Sequence, residues 1–136
     1  GTCPVPRSST EIDMRFTGVC LVTQDVPSLV AFYRKVLRLP HEEGNVFEII
    51  PVEGAMLSIY TADGMEKMAP GSLKDAGFGS YTLEFEVEDV DSEHERLVAE
   101  GVEIVKPPTT QSWGRRSVWF RDPDGNVVNF HMSVEG

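Results

Sequence analysis

Two stretches of the chain alternate apolar and polar side chains with the period of a half-buried strand, 16–23 (FTGVCLVT) and 81–87 (YTLEFEV). Each runs into an Asp-Val pair, Asp25-Val26 and Asp89-Val90, and then into a helical pattern. A constant offset of 64 residues relates the two, carrying 19 to 83, 21 to 85 and 25 to 89. An offset shared through strand and turn points to a duplicated unit.

The first helix is expected over 27–37. Pro27 suits its first turn, and Leu29, Phe32, Tyr33, Val36 and Leu37 form one apolar stripe. The second is expected over 92–100, capped by Asp91 and stopped by Gly101. Extended segments follow at 46–50 and 56–61, and again at 103–106, 116–121 and 126–133. Each half therefore reads β-α-β-β-β, with the first post-helix strand short in both. Asp122-Pro-Asp-Gly125 is a turn signal that joins the last two strands into a hairpin. The stretch 63–79, rich in Gly, Met and Lys, reads as a linker or lid. The expected organisation is an extension over 1–13, with Met14 as the native start, and a single domain over 14–133. Its first module covers about 14–62 and its second about 80–133.

A chain of 136 residues supports one compact domain. Its 12 basic and 22 acidic side chains give a net charge of −10, which argues against nucleic acid and anionic membrane surfaces as partners. The same acidity suggests cationic ligands. Cys3 and Cys20 provide neither a disulfide framework nor a zinc pairing, which fits a cytoplasmic location. No apolar run reaches the roughly 18 residues that span a bilayer.

The segments LVTQDVPSLVAFYRKVLRLP (21–40) and FRDPDGNVVNF (120–130) resemble the vicinal oxygen chelate superfamily of glyoxalases, extradiol dioxygenases and bleomycin-resistance proteins. The resemblance implies an α+β fold. Two βαβββ modules would form a curved, funnel-like mixed sheet around one concave site, with helices on the outer face. It also implies a homodimer whose partner chain completes the cleft. QSWGRRSVWFRDPDGNVVNF (111–130), with Trp113, Gly114 and Arg115, is most similar to the bleomycin-resistance branch. That branch sequesters a bulky cationic antibiotic and performs no chemistry on it.

Enzymes of this superfamily hold a divalent metal with His and Glu side chains, because a Lewis acid must polarise two neighbouring oxygens. Carried over by position, the ligands fall on Gly18, Thr82, Asn129 and either Leu57 or Ser58, none of which matches the pattern. No cofactor is expected on that basis, and catalysis is not the leading expectation. An alternative remains open. Cys20, Glu84 and His131 lie two residues further along the same strands, on the same face and roughly 7 Å away. They would form a displaced metal site serving a lyase, isomerase or dioxygenase.

Alternation assigns Val19, Leu21, Leu83, Phe85, Val87, Val128, Phe130 and Met132 to the helix-packed face. Gly18, Cys20, Val22, Thr82, Glu84, Glu86, Asn129 and His131 face the funnel. The expected ligand-binding set is Trp113, Trp119, Glu84, Glu86, Thr82, Asn129, His131, Cys20, Arg115 and Tyr60. Trp113 would stack on a planar or cationic ligand, worth about 0.5–2 kcal/mol. Trp119 reads first as core packing and second as a ligand wall. Glu84 and Glu86 would favour positive charge, and Asn129, Thr82 and His131 would supply hydrogen bonds. Met65, Met68 and Phe78 could close over an apolar ligand, while His41 and His94 read as surface residues.

Overall fold

The structure is a computed structural model and describes residues 14, 16–42, 45–77 and 81–134. Phe78 and the 1–13 segment lie outside the described residues. The element order is β1 (Gly18–Thr23), α1 (Val26–Val36), β2 (Phe47–Ile50), β3 (Met56–Thr61), α2 (Ala62–Met68), β4 (Thr82–Glu86), α3 (Val90–Ala99), β5 (Ile104–Thr110), β6 (Arg115–Arg121) and β7 (Val127–Ser133).

The Asp-Val repeat is a helix start used twice. Asp25 caps α1, its carboxylate accepting from Ser28 N at 3.1 Å. Asp89 caps α3, accepting from Asp91 N at 3.1 Å and Ser92 N at 3.3 Å. The following valines, Val26 and Val90, are buried at the first helical position. A cap satisfies orphan amides, and the apolar residue after it fixes how the helix enters the core. The cap of the second helix is thus Asp89 rather than the expected Asp91. Two aspartates lie within one turn there, and the strand end selects the earlier one.

The strands form two mixed sheets and no closed barrel. One is three-stranded, in the order β1-β3-β2, and the other four-stranded, in the order β4-β7-β6-β5. In both, the first strand runs parallel to the last strand of its half, and the remaining pairs are antiparallel. The second half is βαβββ. In the first half, no strand forms over the described residues between α1 and β2. Buried Arg34 holds that path instead, donating to Pro40 O at 2.9 Å and Glu42 Oε1 at 3.2 Å. The first post-helix strand of the second half is not short. β5 has seven residues and passes through Pro107 and Pro108, which an edge strand tolerates because its outer amides need no partner. Its register slips between Ile104 and Lys106 and again before Thr109.

The stretch expected as linker or lid begins with a helix. The Thr61 side chain caps α2 by accepting from Gly64 N at 2.9 Å, and Lys67 reaches Asp63 at 3.2 Å one turn away. Charged, glycine-containing and two turns long, this helix leaves too faint a period to read from sequence.

One apolar core spans both halves. It contains Leu21, Leu29, Val30, Tyr33, Ile59, Leu83, Leu97, Val118, Phe120, Val128 and Phe130. Phe120 packs edge-on to Phe130 at 4.9 Å and lies 6.3 Å from Phe32 of α1. Polar ties also join the halves. Tyr33 Oη donates to Asp122 Oδ2 at 2.6 Å. Arg96 of α3 donates to Lys35 O at 3.2 Å and Val36 O at 2.7 Å at the end of α1. Glu93 steadies that arginine at 2.6 Å and also pairs with Arg38 at 3.0 Å. No described helix is long and apolar enough to cross a membrane.

Candidate functional site: the open face of the two sheets

Because side chains alternate along a strand, residues paired across a ladder share a face. On the four-stranded sheet, Glu84 lies opposite Asn129, and Asn129 opposite Trp119. Glu86 lies opposite His131, His131 opposite Ser117, and Thr82 opposite Val127. On the three-stranded sheet, Cys20 lies opposite Ser58, and Tyr60 opposite Val22 and Phe47. These residues occupy the face away from the helices. The expected site residues therefore divide between two sheets, with Cys20 and Tyr60 on one and the rest on the other.

Trp113 sits in the turn between β5 and β6 and is 72% exposed. The turn is closed by Gly114 N donating to Gln111 O at 3.0 Å, and Gly114 adopts φ +85°. Trp119 is half-buried on the open face beside Asn129, so it is not a core residue as first read. Bulkier neighbours bury the small polar residues of this face, Ser58, Ser117 and Asn129. The Asn129 Oδ1 has no hydrogen-bond partner among the described residues.

Arg115 connects the polar residues. Its Nη2 lies 3.2 Å from His131 Nε2, and its Nη1 lies 3.8 Å from Glu84 Oε1. A guanidinium has donors only, so Nε2 is the acceptor and the proton of neutral His131 resides on Nδ1. Burial, followed by the Arg115 charge, holds the His131 pKa below its ordinary value, opposed by Glu84 and Glu86. Arg116, the next residue, turns to the other side. It grips Asp91 with Nε at 2.9 Å and Nη2 at 2.8 Å, and that bond draws the Asp91 carboxyl below the usual range.

The described residues at these positions do not fit a metal. Among the described residues no group of three or more His, Cys, Asp or Glu side chains is placed to hold an ion. In the displaced arrangement, the His131 Nε2 lone pair accepts from Arg115, and Cys20 lies on the other sheet. At the first-strand position a Cβ on Gly18 would overlap the Met56 carbonyl oxygen and come within 2.9 Å of Met56 Cβ. A ligand side chain there would have to displace β3.

At the seam between the sheets lies a cleft of about 350 Å³. Phe16, Val19, Met56 and Phe85 form its apolar walls, and Thr82 and Glu84 reach its lining. Beyond it the face of the three-stranded sheet is apolar and open. Phe47 and Ile49 are each about half exposed, and Phe47 packs edge-on to Tyr60 at 5.9 Å. The sequence reading missed this aromatic wall, although Phe47 and Ile49 alternate in the same period-two manner as the longer strands. Met65 is partly buried on α2, whereas Met68 is 67% exposed. His41 is exposed and His94 partly so.

The sequence profile of the Glyoxalase/Bleomycin resistance protein/Dioxygenase superfamily matches residues 15–130. Uncharacterized protein YraH of Bacillus subtilis (strain 168) is 29% identical over 128 residues, covering 89% of this chain and all of the relative. The crystal structure of a glyoxalase/bleomycin resistance protein/dioxygenase from Nocardioides aligns with a TM-score of 0.71 and 26% identity, covering 94% of this chain and 90% of that one. A glyoxalase/bleomycin resistance protein/dioxygenase family enzyme from Burkholderia phytofirmans PsJN shares the fold with a TM-score of 0.77 and 18% identity, covering 89% of this chain and all of that one. With the profile running from the first strand to the last, this chain belongs to the Glyoxalase/Bleomycin resistance protein/Dioxygenase superfamily.

Proposed function

We propose that this protein binds a small cationic, planar molecule in the cleft at the seam of its two sheets and sequesters it without chemical change, as a drug-sequestering resistance protein would. The observation that carries the reading is the seam cleft of about 350 Å³, whose walls are apolar and whose lining includes the half-exposed carboxylate of Glu84. Its size falls in the range of small-molecule sites. Glu84, Glu86 and Arg115 together carry a formal charge of −1 when His131 is neutral, which favours a cation. Trp113, exposed in the β5–β6 turn, is not among the residues lining this cleft, and its stacking role is for a ligand that extends from the cleft across the four-stranded sheet. The backbone edges of β1 and β4 that face away from their own sheets pair with no other strand among the described residues. Exposed Phe16 and Met56 lie at the seam beside the β1 edge, and Phe47 and Ile49 are exposed on β2 at the opposite edge of the same sheet. Both features support a homodimer in which a second copy covers part of this face, a state that sedimentation velocity measures directly.

The test is a pair of fluorescent probes of similar shape, proflavine as the cation and acridine as the neutral ring at pH 8. Proflavine should bind several-fold more tightly than acridine. Trp113→Ala should weaken proflavine about two- to thirtyfold, the equivalent of roughly 0.5–2 kcal/mol, with the melting temperature unchanged. Equal affinity for the two probes would refute the charge preference, and an unaffected Trp113→Ala would refute the stacking. Stoichiometric zinc, iron, manganese or nickel in protein purified without added metal or chelator would refute the metal-free reading.

A further inference from the structure

The outer edge of β4 is a row of backbone groups without a partner strand. β4 is the terminal strand of its sheet, and Val87 N, one residue past its end, donates to His131 O of β7 at 2.9 Å. In a parallel ladder, the residues that turn both backbone groups to the neighbouring strand alternate. Leu83 and Phe85 therefore turn theirs to β7, and Thr82, Glu84 and Glu86 turn theirs outward. Among the described residues no backbone hydrogen bond outside the β4–β7 ladder uses those outward groups. We propose that this edge takes an extended peptide as an added strand, one that carries basic side chains at every second position and apolar ones between them.

The groove beside the edge fixes that chemistry. Clefts of about 350, 470 and 270 Å³ share Val52, Glu53 and Phe85 as walls, and together they form one channel between β4 and the 52–54 loop. At its Glu86 end the channel meets a hollow of about 770 Å³, where Glu86, Glu88, Asp89 and Glu93 stand against the guanidinium of Arg38. Arg38 and Arg96, which border the channel, are both held by Glu93, at 3.0 and 2.6 Å. Side chains of a strand laid on β4 alternate between the same two faces as its own. Those opposite Glu84 and Glu86 meet exposed carboxylates, and those between them meet the partly buried Phe85 and Val52. Arg115 approaches Glu84 at 3.8 Å, a loose pair that an incoming ammonium can share. Main-chain bonds then supply the affinity, and the alternating side chains supply the selection. A second copy of β4 laid antiparallel on this edge would set glutamate against glutamate, and like charges across a ladder are destabilising. The edge therefore fits a different, basic chain.

The seam cleft is one end of this channel and Glu84 belongs to both, but strand addition does not depend on the small-ligand reading. The probe is an unlabelled peptide of alternating lysine and valine, blocked at both ends and matched to the five residues of β4. It has neither a ring nor a planar cation, so it and proflavine can fail separately. Binding to the full chain is followed by titration calorimetry and by amide exchange in NMR. The Glu84 and Glu86 amides should exchange freely in the unliganded protein and slow when the peptide is added. N-methylation of the lysines removes the donors that an antiparallel strand turns to β4, and should weaken binding roughly tenfold or more. N-methylation of the valines, whose N–H groups then face away, keeps the charge and should cost little. The opposite order marks a parallel strand added to the same edge. Glu84→Gln combined with Glu86→Gln should weaken the unmethylated peptide about two- to thirtyfold. Equal affinity of the two methylated peptides, or binding that leaves the Glu84 and Glu86 amides unprotected, would overturn the added strand. So would protection that grows with protein concentration in the absence of peptide, because a second copy would then hold the edge. Should the double variant fail to fold, the methylated peptides decide the question.

Discussion

Removing one oxygen from the centre of the molecule gives a quantitative test of how the halves are joined. Tyr33 has no exposed surface, and its hydroxyl donates to Asp122 Oδ2 at 2.6 Å. The Asp122 carboxylate also accepts from Asp124 N, Asn126 N and Asn126 Nδ2, each at 2.9 Å. Tyr33→Phe keeps the ring, its core packing and its edge-on contact with Phe32 at 5.2 Å. It deletes one of four donors to a buried anion. Hydrogen bonds to charged groups contribute about 1.5–3 kcal/mol. The three donors left behind place the expected loss near the middle of that range, about 2 kcal/mol. In urea unfolding followed by tryptophan fluorescence, a slope of about 2 kcal/mol/M converts this to a midpoint lower by about 1 M, with the slope unchanged. Burial, followed by the Asp122 charge, pushes the Tyr33 phenol far above its ordinary value. A raised folded pKa stabilises below the unfolded value and is lost as pH rises past it, so this contribution fades above about pH 10. The gap between the two proteins should accordingly narrow above pH 10. A midpoint shift under about 0.2 M at pH 7, or a gap that widens in alkali, would refute the reasoning.

Two further outcomes follow from named contacts. Gly18→Ala should destabilise by about 1–3 kcal/mol, because the new Cβ overlaps the Met56 carbonyl oxygen at the start of the β1–β3 ladder; an unchanged urea midpoint would show that β3 yields freely there. The Asp91 carboxyl should titrate below the ordinary aspartate range and return to it in Arg116→Gln, read by carbonyl NMR. Any stability from this exposed pair is present above the unfolded aspartate pKa and disappears as pH falls through the lowered value.

The sequence carried the strand faces well. Leu21, Leu83, Val128 and Phe130 are buried on the helix side, as alternation along their strands required. Ladder register and the packing of large side chains were less legible. The Arg115–His131 contact depends on a β6–β7 register that places Ser117 opposite His131, and only knowledge of where the 122–126 turn closes gives that register. Trp119 reads as core from its apolar neighbours Val118 and Phe120, yet the strand period turns it to the opposite face. Tyr33 reads as part of an apolar stripe, which it is, but its hydroxyl serves a turn 89 residues away. Nothing local to either segment announces that pairing.

The arginine that reaches from α3 to the end of α1 bears on how the chain folds. The last carbonyls of a helix need donors; Lys35 O accepts from Arg38 N at 3.2 Å and again from Arg96 of the other half, and Val36 O obtains its donor from Arg96 at 2.7 Å. The closing turn of α1 is completed by a residue some sixty positions downstream, so the first half on its own would fray at that end. With one core and polar contacts shared between the halves, the chain should collapse to the native state in a single cooperative step rather than half by half.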